Sequence, residues 1–330
     1  MRTALLPVPL VAAAFFLTAA TCNKGGNSET PPSAPSTPTA SAPAPAESAQ
    51  PGTGGSGDDA AKLSQTLAVP GMDFSSLSSG AQRELAAVFT DEFCYCGCPH
   101  TLGQCLKEHK GCRHAKRMAN IAAQDAQAGA PSVEIIQQLG KYYQSFREAR
   151  RTFKTDDRMC HGAKDAKVTF VEFADFECPH CGFVRPVLEE LVKKHGDKVR
   201  VCFMPYPLEG HPNAIPAAIA SLVARDKGKF WEMHDQLFAN QLALSTPAIK
   251  DLAAGLGLSA AEVQKAIDSG KYTAELNGYK EAGKSAGVAQ TPTIFLNGRA
   301  YELARTVDQF DHAADDELEW SSNNNAWAKD

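Results

Sequence analysis

The chain has 330 residues, a formal net charge of −5 and ten cysteines. That length favours two domains, and the mild acidity gives no electrostatic reason to expect nucleic acid or an anionic surface as partner. Ten cysteines are many for a reducing cytosol, so the compartment must be settled first.

Met1 to Cys22 settles most of it. Arg2 supplies a positive start, and Leu5 to Ala20 is apolar but short for a membrane span and interrupted by Pro7 and Pro9. This pattern predicts a secretory signal. Ala19-Ala20-Thr21-Cys22 resembles the lipobox of bacterial lipoproteins, although Ala19 and Thr21 depart from its preferred residues. The resemblance implies a lipid on Cys22 and anchorage to a membrane on the periplasmic side of a bacterial cell envelope; the alternative is ordinary cleavage nearby. Residues 23–66 are rich in Pro, Ser, Ala, Thr and Gly. Such a stretch cannot bury enough apolar surface to offset chain entropy, and it is expected to be a disordered tether.

A small Cys-rich helical domain is expected over residues 67–153. Ala81–Phe89 reads as helix, and Cys94-Tyr95-Cys96-Gly97-Cys98-Pro99-His100 as a loop punctuated by Gly97 and Pro99. Thr101 suits the N-cap of a helix carrying Leu102, Cys105 and Leu106. Cys112–Gln127 is the next helix. Ser132 is expected to cap a last one, with Ile135, Ile136, Leu139, Tyr142, Tyr143 and Phe146 at helical spacing. That stripe reads as core. For Cys94, Cys96, Cys98, Cys105 and Cys112 three readings stay open: structural disulfides, a zinc or copper site using thiolates with His100 or His114, and a second redox centre. The spacing lacks the usual Cys-x2-Cys zinc pairs. The cysteine turn, its helix and Gly129–Ile136 weakly resemble the three-helix thiol domain of CcmH-type cytochrome c maturation proteins. The Cys-x-x-Cys of that family is missing, and no function is carried over. No residue is assigned as a metal ligand.

The second half begins after a charged linker, Arg147 to Asp157. Val168–Ala174 is β-branched and aromatic, and it leads into Cys178-Pro179-His180-Cys181 and then a helix. A cysteine at a helix start sits near unpaired N–H groups and the positive end of the dipole, which favours thiolate. Cys178 is therefore the expected attacking sulfur, and Cys181, one turn on, can reach it. Pro179 suits the first turn, where its missing N–H costs nothing. His180 can stabilise the thiolate when protonated. A permanent disulfide or half of a zinc site are the bland alternatives; the strand before and the helix after favour redox cycling. Val199–Met204 is the next strand, which completes a parallel βαβ unit.

Phe173–Cys181 resembles the active-site strand and helix of DsbA-type thiol–disulfide oxidoreductases, in the thioredoxin superfamily. Gly228-Lys229-Phe230-Trp231-Glu232-Met233-His234-Asp235 resembles that family's inserted helices. Gly287–Gly298, containing Thr291-Pro292-Thr293, resembles its cis-proline loop and following hairpin. The resemblance implies an α/β thioredoxin fold over residues 154–330, with a helical insertion at about 211–286. It implies a cis Pro292 against the reactive pair and Thr291 pairing its backbone with substrate. It implies that Glu172 lies beneath the cysteines and helps proton transfer to Cys181, the alternative being a solvent-facing acid. It makes the strands carrying or flanked by Cys160 and Cys202 neighbours, so a structural bridge between these two is expected if the Cα spacing allows. Within the insertion, Thr246 and Ser259 are expected caps, and His211 and His234 receive no role. Thr306–Leu318 is the final predicted helix, with a frayed tail from Trp320.

The expected activity is exchange of disulfides with protein thiol substrates, with net oxidation favoured and recycling by a membrane redox partner. No cofactor is required. An isomerase or reductase is the alternative within the class, and a non-enzymatic metal-binding envelope protein the alternative outside it.

Overall fold

In the computed structural model, residues 57–109 and 111–327 are described. The signal segment, Cys22 and most of the tether lie outside them.

The first described element corrects the tether. Gly57–Leu67 is a helix, α1, with Asp58 and Asp59 in its first turn. Those acids favour the positive helix end, and Leu63 and Leu67 recur at helical spacing. Four helices follow: α2 (Ser79–Asp91), α3 (Leu102–Glu108), α4 (Arg113–Gln127) and α5 (Ser132–Gln144). Ser78 caps α2 by accepting from the Ala81 N–H. Thr101 and Gln104 form a reciprocal capping box on α3. The expected Ser132 cap is displaced: Pro131 is the N-cap of α5, and the Ser132 N–H instead donates to Glu84 at 2.7 Å.

The second half is a five-stranded sheet: β1 (Cys160–Gly162), β2 (Val168–Ala174), β3 (Val199–Pro205), β4 (Thr293–Leu296) and β5 (Arg299–Ala300), in the order β1-β3-β2-β4-β5. β2 and β3 are parallel, joined by α6 (Pro179–His195). The other pairings are antiparallel. Nearly every residue of β2 and β3 is buried, as continuous apolar runs in a covered parallel pair require. Cys160 and Cys202 face each other across β1 and β3, with Cα atoms 4.0 Å apart and the sulfurs bonded. The bridge thus ties an added edge strand to β3; it does not involve β2. At the β4–β5 turn Asn297 and Gly298 both have positive φ. A Cβ at Gly298 would lie 2.0 Å from the Arg151 carbonyl oxygen, so only glycine fits there.

Between β3 and β4 run α7 (Ala214–Asp226), α8 (Phe230–Ala239), α9 (Thr246–Gly255), α10 (Ala260–Ser269) and α11 (Thr273–Ala286). Ser259 caps α10. Ser245, not Thr246, caps α9, because its hydroxyl reaches the Ala248 N–H while Thr246 already lies inside the helix.

The last helix, α12 (Val307–Ser322), outruns its predicted end. Trp320 and Trp327 are buried, and Trp327 stacks on His114 with ring centroids 4.2 Å apart. The tail is held because the aromatics at the end of α5 and in the turn after it offer it a surface: Tyr143 and Phe146 both touch Trp327. Asp316 of α12 accepts from the Tyr142 and Tyr143 hydroxyls at 3.2 and 3.1 Å. Arg299 donates to Ser145 at 3.1 Å and to Glu317. One apolar cluster therefore runs from Leu85 and Tyr142 through Phe170 to Phe310 and Trp320. Among the described residues no helix is long and apolar enough to cross a membrane.

Candidate active site

β2 delivers the chain to Asp175, whose buried carboxylate gathers the loop. It accepts from the N–H groups of Glu177 and Leu208 at 2.8 and 2.7 Å and pairs with His211 Nδ1 at 2.8 Å. Cys178 is the N-cap of α6, with Pro179 in the first turn. Its carbonyl accepts from the Cys181 and Gly182 N–H groups at 3.0 and 3.3 Å. Gln241 closes the turn from the far side, donating to the Phe176 and Cys178 carbonyls at 2.8 and 2.7 Å. A Cβ at Gly182 would lie 2.7 Å from Gln241 Oε1, so glycine gives that side chain its passage.

The two thiols are unlike. Cys181 is wholly buried, and burial pushes its thiol far up, helped by the proton it shares with Cys178 and by Glu172. Cys178 is held down to about 5. The largest cause is donation from the Cys181 thiol; burial opposes it, and the Thr291 hydroxyl and the N–H groups of Cys181 and His180 assist. Hydrogen bonds to the charged form and the helix end both favour thiolate. The Cys178 sulfur lies 3.2 Å from the Thr291 carbonyl oxygen. The Thr291–Pro292 peptide bond is cis, and the Thr291 hydroxyl is buried without another partner. Pro179 and the His180 side chain are exposed at the helix start.

Glu172 lies in mid-strand, paired in register with Phe203 and Ile294, and is 4 % exposed. It does not face solvent. Burial pushes its carboxyl up to about 8; Arg305 opposes this and Cys178 adds to it. Its Oε1 has no hydrogen-bond partner. It lines a cavity of about 20 Å³ with His161, Trp231 and His234, room for a single water. At neutral pH the carboxyl therefore carries a proton within electrostatic reach of both thiols.

His234 is buried against Phe203 and Phe238 and pairs with Asp235 at 2.9 Å, a packed histidine. His211 does contribute, through Asp175. Sequence reasoning missed Asp175, His211 and Gln241 as supports of the cysteine turn. Apart from the Glu177 N–H that donates to Asp175 locally, their partners stand 33 to 65 residues away in sequence.

The five cysteines of the helical segment converge away from this pair. Cys94, Cys96, Cys105 and Cys112 form one group, and Cys98, His100 and His109 a second. His114 is in neither. It stacks on Trp327 and meets Tyr143 edge-on, 3.7 Å from Asp316, because its helix turns it toward the aromatic core.

A parallel β-α-β unit with a Cys-x-x-Cys at the helix start, opposite a cis proline that opens an antiparallel strand, defines a thioredoxin fold with its dithiol in place. Residues 154–316 match the Thioredoxin family model, in agreement with the fold of this half of the chain. Among curated proteins, the chain is 36 % identical over 141 residues to the Na(+)/H(+) antiporter NhaA 3 of Salinispora tropica, covering 42 % of this chain. It is 33 % identical over 148 residues to the Na(+)/H(+) antiporter NhaA 1 of Salinispora arenicola, covering 44 % of it. In both cases the match spans 22 % of the relative's length. Among solved structures, BdbD from Bacillus subtilis is 22 % identical, covering 52 % of this chain and 99 % of that one, with a TM-score of 0.46. The catalytic domain of Proteus mirabilis ScsC is 24 % identical, covering 55 % and 97 %, with a TM-score of 0.43.

Proposed function

We propose that the chain is a protein thiol–disulfide oxidoreductase of the bacterial cell envelope, acting as a net disulfide donor through Cys178 and Cys181. The observation that carries this reading is the inequality of the pair: Cys178 is a thiolate at neutral pH, and Cys181 is buried and protonated. A substrate thiolate attacks the Cys178 sulfur of the enzyme disulfide. Cys181 departs and takes a proton, which the neutral, buried Glu172 supplies. A second substrate thiolate then attacks the substrate sulfur of the mixed disulfide. Cys178 leaves easily because its thiolate is stable. Two electrons pass to the enzyme, the substrate gains one disulfide, and a membrane redox partner restores the pair.

Thr291 offers backbone for β-strand pairing with an extended substrate. Phe183 is 75 % exposed one turn along α6, and Leu242, beside Gln241, is 99 % exposed. These apolar groups suit an unfolded polypeptide. A lipid on Cys22 and a tether would hold the catalytic half at a membrane, with the Cys-rich helices between.

The test is trapping. Oxidised chain is mixed with a reduced, unfolded secreted protein. The Cys181→Ser variant, activated at Cys178, should accumulate a mixed disulfide that dithiothreitol releases, and Cys178→Ser should form none. Equal trapping by both variants would remove the assigned roles.

A further inference from the structure

Four sulfurs meet in the helical segment, and no part of the redox reading uses them. The Sγ atoms of Cys94, Cys96, Cys105 and Cys112 all lie within 4.8 Å of one another. They come from three elements: the loop after α2, the middle of α3, and the N-cap of α4. Three of the four residues are buried and Cys96 is half-buried. The loop is pinned at its base by Leu102 N–H donating to the Glu92 carbonyl at 2.7 Å and by Cys94 N–H donating to the His100 carbonyl at 3.2 Å. The Ala115 N–H donates to the Cys112 sulfur at 3.4 Å, an outer-shell bond of the kind that orients a metal ligand.

Two chemistries bring cysteines together, and the geometry separates them. A disulfide pairs two sulfurs at about 2.05 Å, as at Cys160–Cys202, where the bond is 2.09 Å. In the helical segment Cys94 and Cys96 stand 3.2 Å apart, and Cys96 and Cys98 3.3 Å apart. Pairwise bonding does not account for four sulfurs gathered within 4.8 Å of one another, and with five cysteines it leaves one over. A tetrahedral zinc does account for them: Zn–S distances of about 2.3 Å place the sulfurs about 3.8 Å apart, within the spread seen here. A closed shell of four sulfurs also selects for a thiophilic cation.

We propose that Cys94, Cys96, Cys105 and Cys112 bind one Zn²⁺ in a closed four-thiolate site that fastens the cysteine loop, α3 and the start of α4. Binding displaces the thiol protons and changes no oxidation state. The site is structural, because no coordination position remains open for a substrate. Cys98, His100 and His109 lie outside it; this trio is half-exposed, and two of its ring nitrogens stand 3.0 Å apart in contact with each other. The proposal is independent of the activity assigned to Cys178.

The test measures metal in the full-length chain, purified without chelator from zinc-supplied cells. Elemental analysis should find one zinc per chain, kept in the double variant Cys178→Ser/Cys181→Ser and in Cys98→Ser, and lost in Cys105→Ser. Cobalt exchanged into the site should give the visible bands of a tetrahedral tetrathiolate. Peptide mapping of the unaltered chain provides a second arm that does not depend on the folding of Cys105→Ser. Four thiols in this segment should become alkylatable only after chelation under denaturing conditions. A metal-free chain with disulfides among these five cysteines, iron in place of zinc, or loss of zinc on Cys98→Ser would each overturn the proposal.

Discussion

Removing the Cys181 thiol should raise the pKa of Cys178 by a predictable amount. In the wild-type chain Cys178 titrates at about 5, and the first cause is the hydrogen bond from Cys181. A hydrogen bond to a charged acceptor is worth about 1.5–3 kcal/mol. One pH unit corresponds to about 1.4 kcal/mol, so Cys181→Ala should move the midpoint up by about 1–2 units, to between about 6 and 7. It should stay below the value of a free thiol, because the Thr291 hydroxyl and the backbone N–H groups at the head of α6 remain. The assay is the rate of iodoacetamide modification of reduced protein against pH, read by mass spectrometry at the peptide containing Cys178. At pH 5 the variant should react about 5 to 50 times more slowly than wild type, and the two should converge above about pH 8. Superimposed profiles would refute the idea that the Cys181 proton sets the reactivity of Cys178. A wild-type midpoint near 8.5 would refute the claim of a thiolate at neutral pH altogether.

Other consequences can be checked directly. The Glu172 carboxyl has its ordinary value of 4.5 raised to about 8 in the folded chain. The native state thus binds the extra proton, and stability falls as pH rises from 4.5 to 8. At pH 7 the penalty is on the order of 3 kcal/mol. Glu172→Gln should therefore raise the urea midpoint at pH 7 and flatten its pH dependence, while slowing mixed-disulfide formation about a hundredfold; an unchanged exchange rate would remove Glu172 from proton transfer. Gly298→Ala places a methyl against Arg151 at positive φ and should cost about 1–3 kcal/mol in chemical denaturation. Trp327→Ala strips the aromatic lid from His114, Tyr143 and Phe146. The cost should be about 2–3 kcal/mol, at or below the lower end of large-to-small core changes because the chain end can relax. A change within 0.5 kcal/mol would mean the tail is not held.

The parts of the fold that local sequence could reveal are those with local causes. Val168–Ala174 is a β-branched and aromatic run interrupted by Glu172, and burial on both faces of a central strand favours such a run. The Cys-Pro-His-Cys turn combines a proline suited to a helix start with cysteines one turn apart. The cis bond before Pro292 has no such local cause, and only resemblance pointed to it. Asp175, His211 and Gln241 escaped notice because each acts on backbone or side chains more than thirty residues away in sequence. The tail was misread because Trp320 and Trp327 look like scattered aromatics until α5 and the turn after it are seen to present Tyr143 and Phe146 to them. The cysteine spacing in the helical segment left several chemistries open. Three separate elements bring Cys94, Cys96, Cys105 and Cys112 together, while α4 turns His114 away.

The claim that the Cys178–Cys181 pair donates disulfides is tested most directly by its reduction potential, measured on the full-length chain equilibrated in glutathione buffers and read by alkylation of the peptide carrying both cysteines. A thiolate held at about 5 stabilises the reduced form, and the predicted potential lies toward about −120 mV, the range of strong periplasmic oxidants. A value near about −270 mV, as in thioredoxin, would make the protein a reductant, and a pair that resists reduction below about −300 mV would make the bond structural; either result would contradict the assignment.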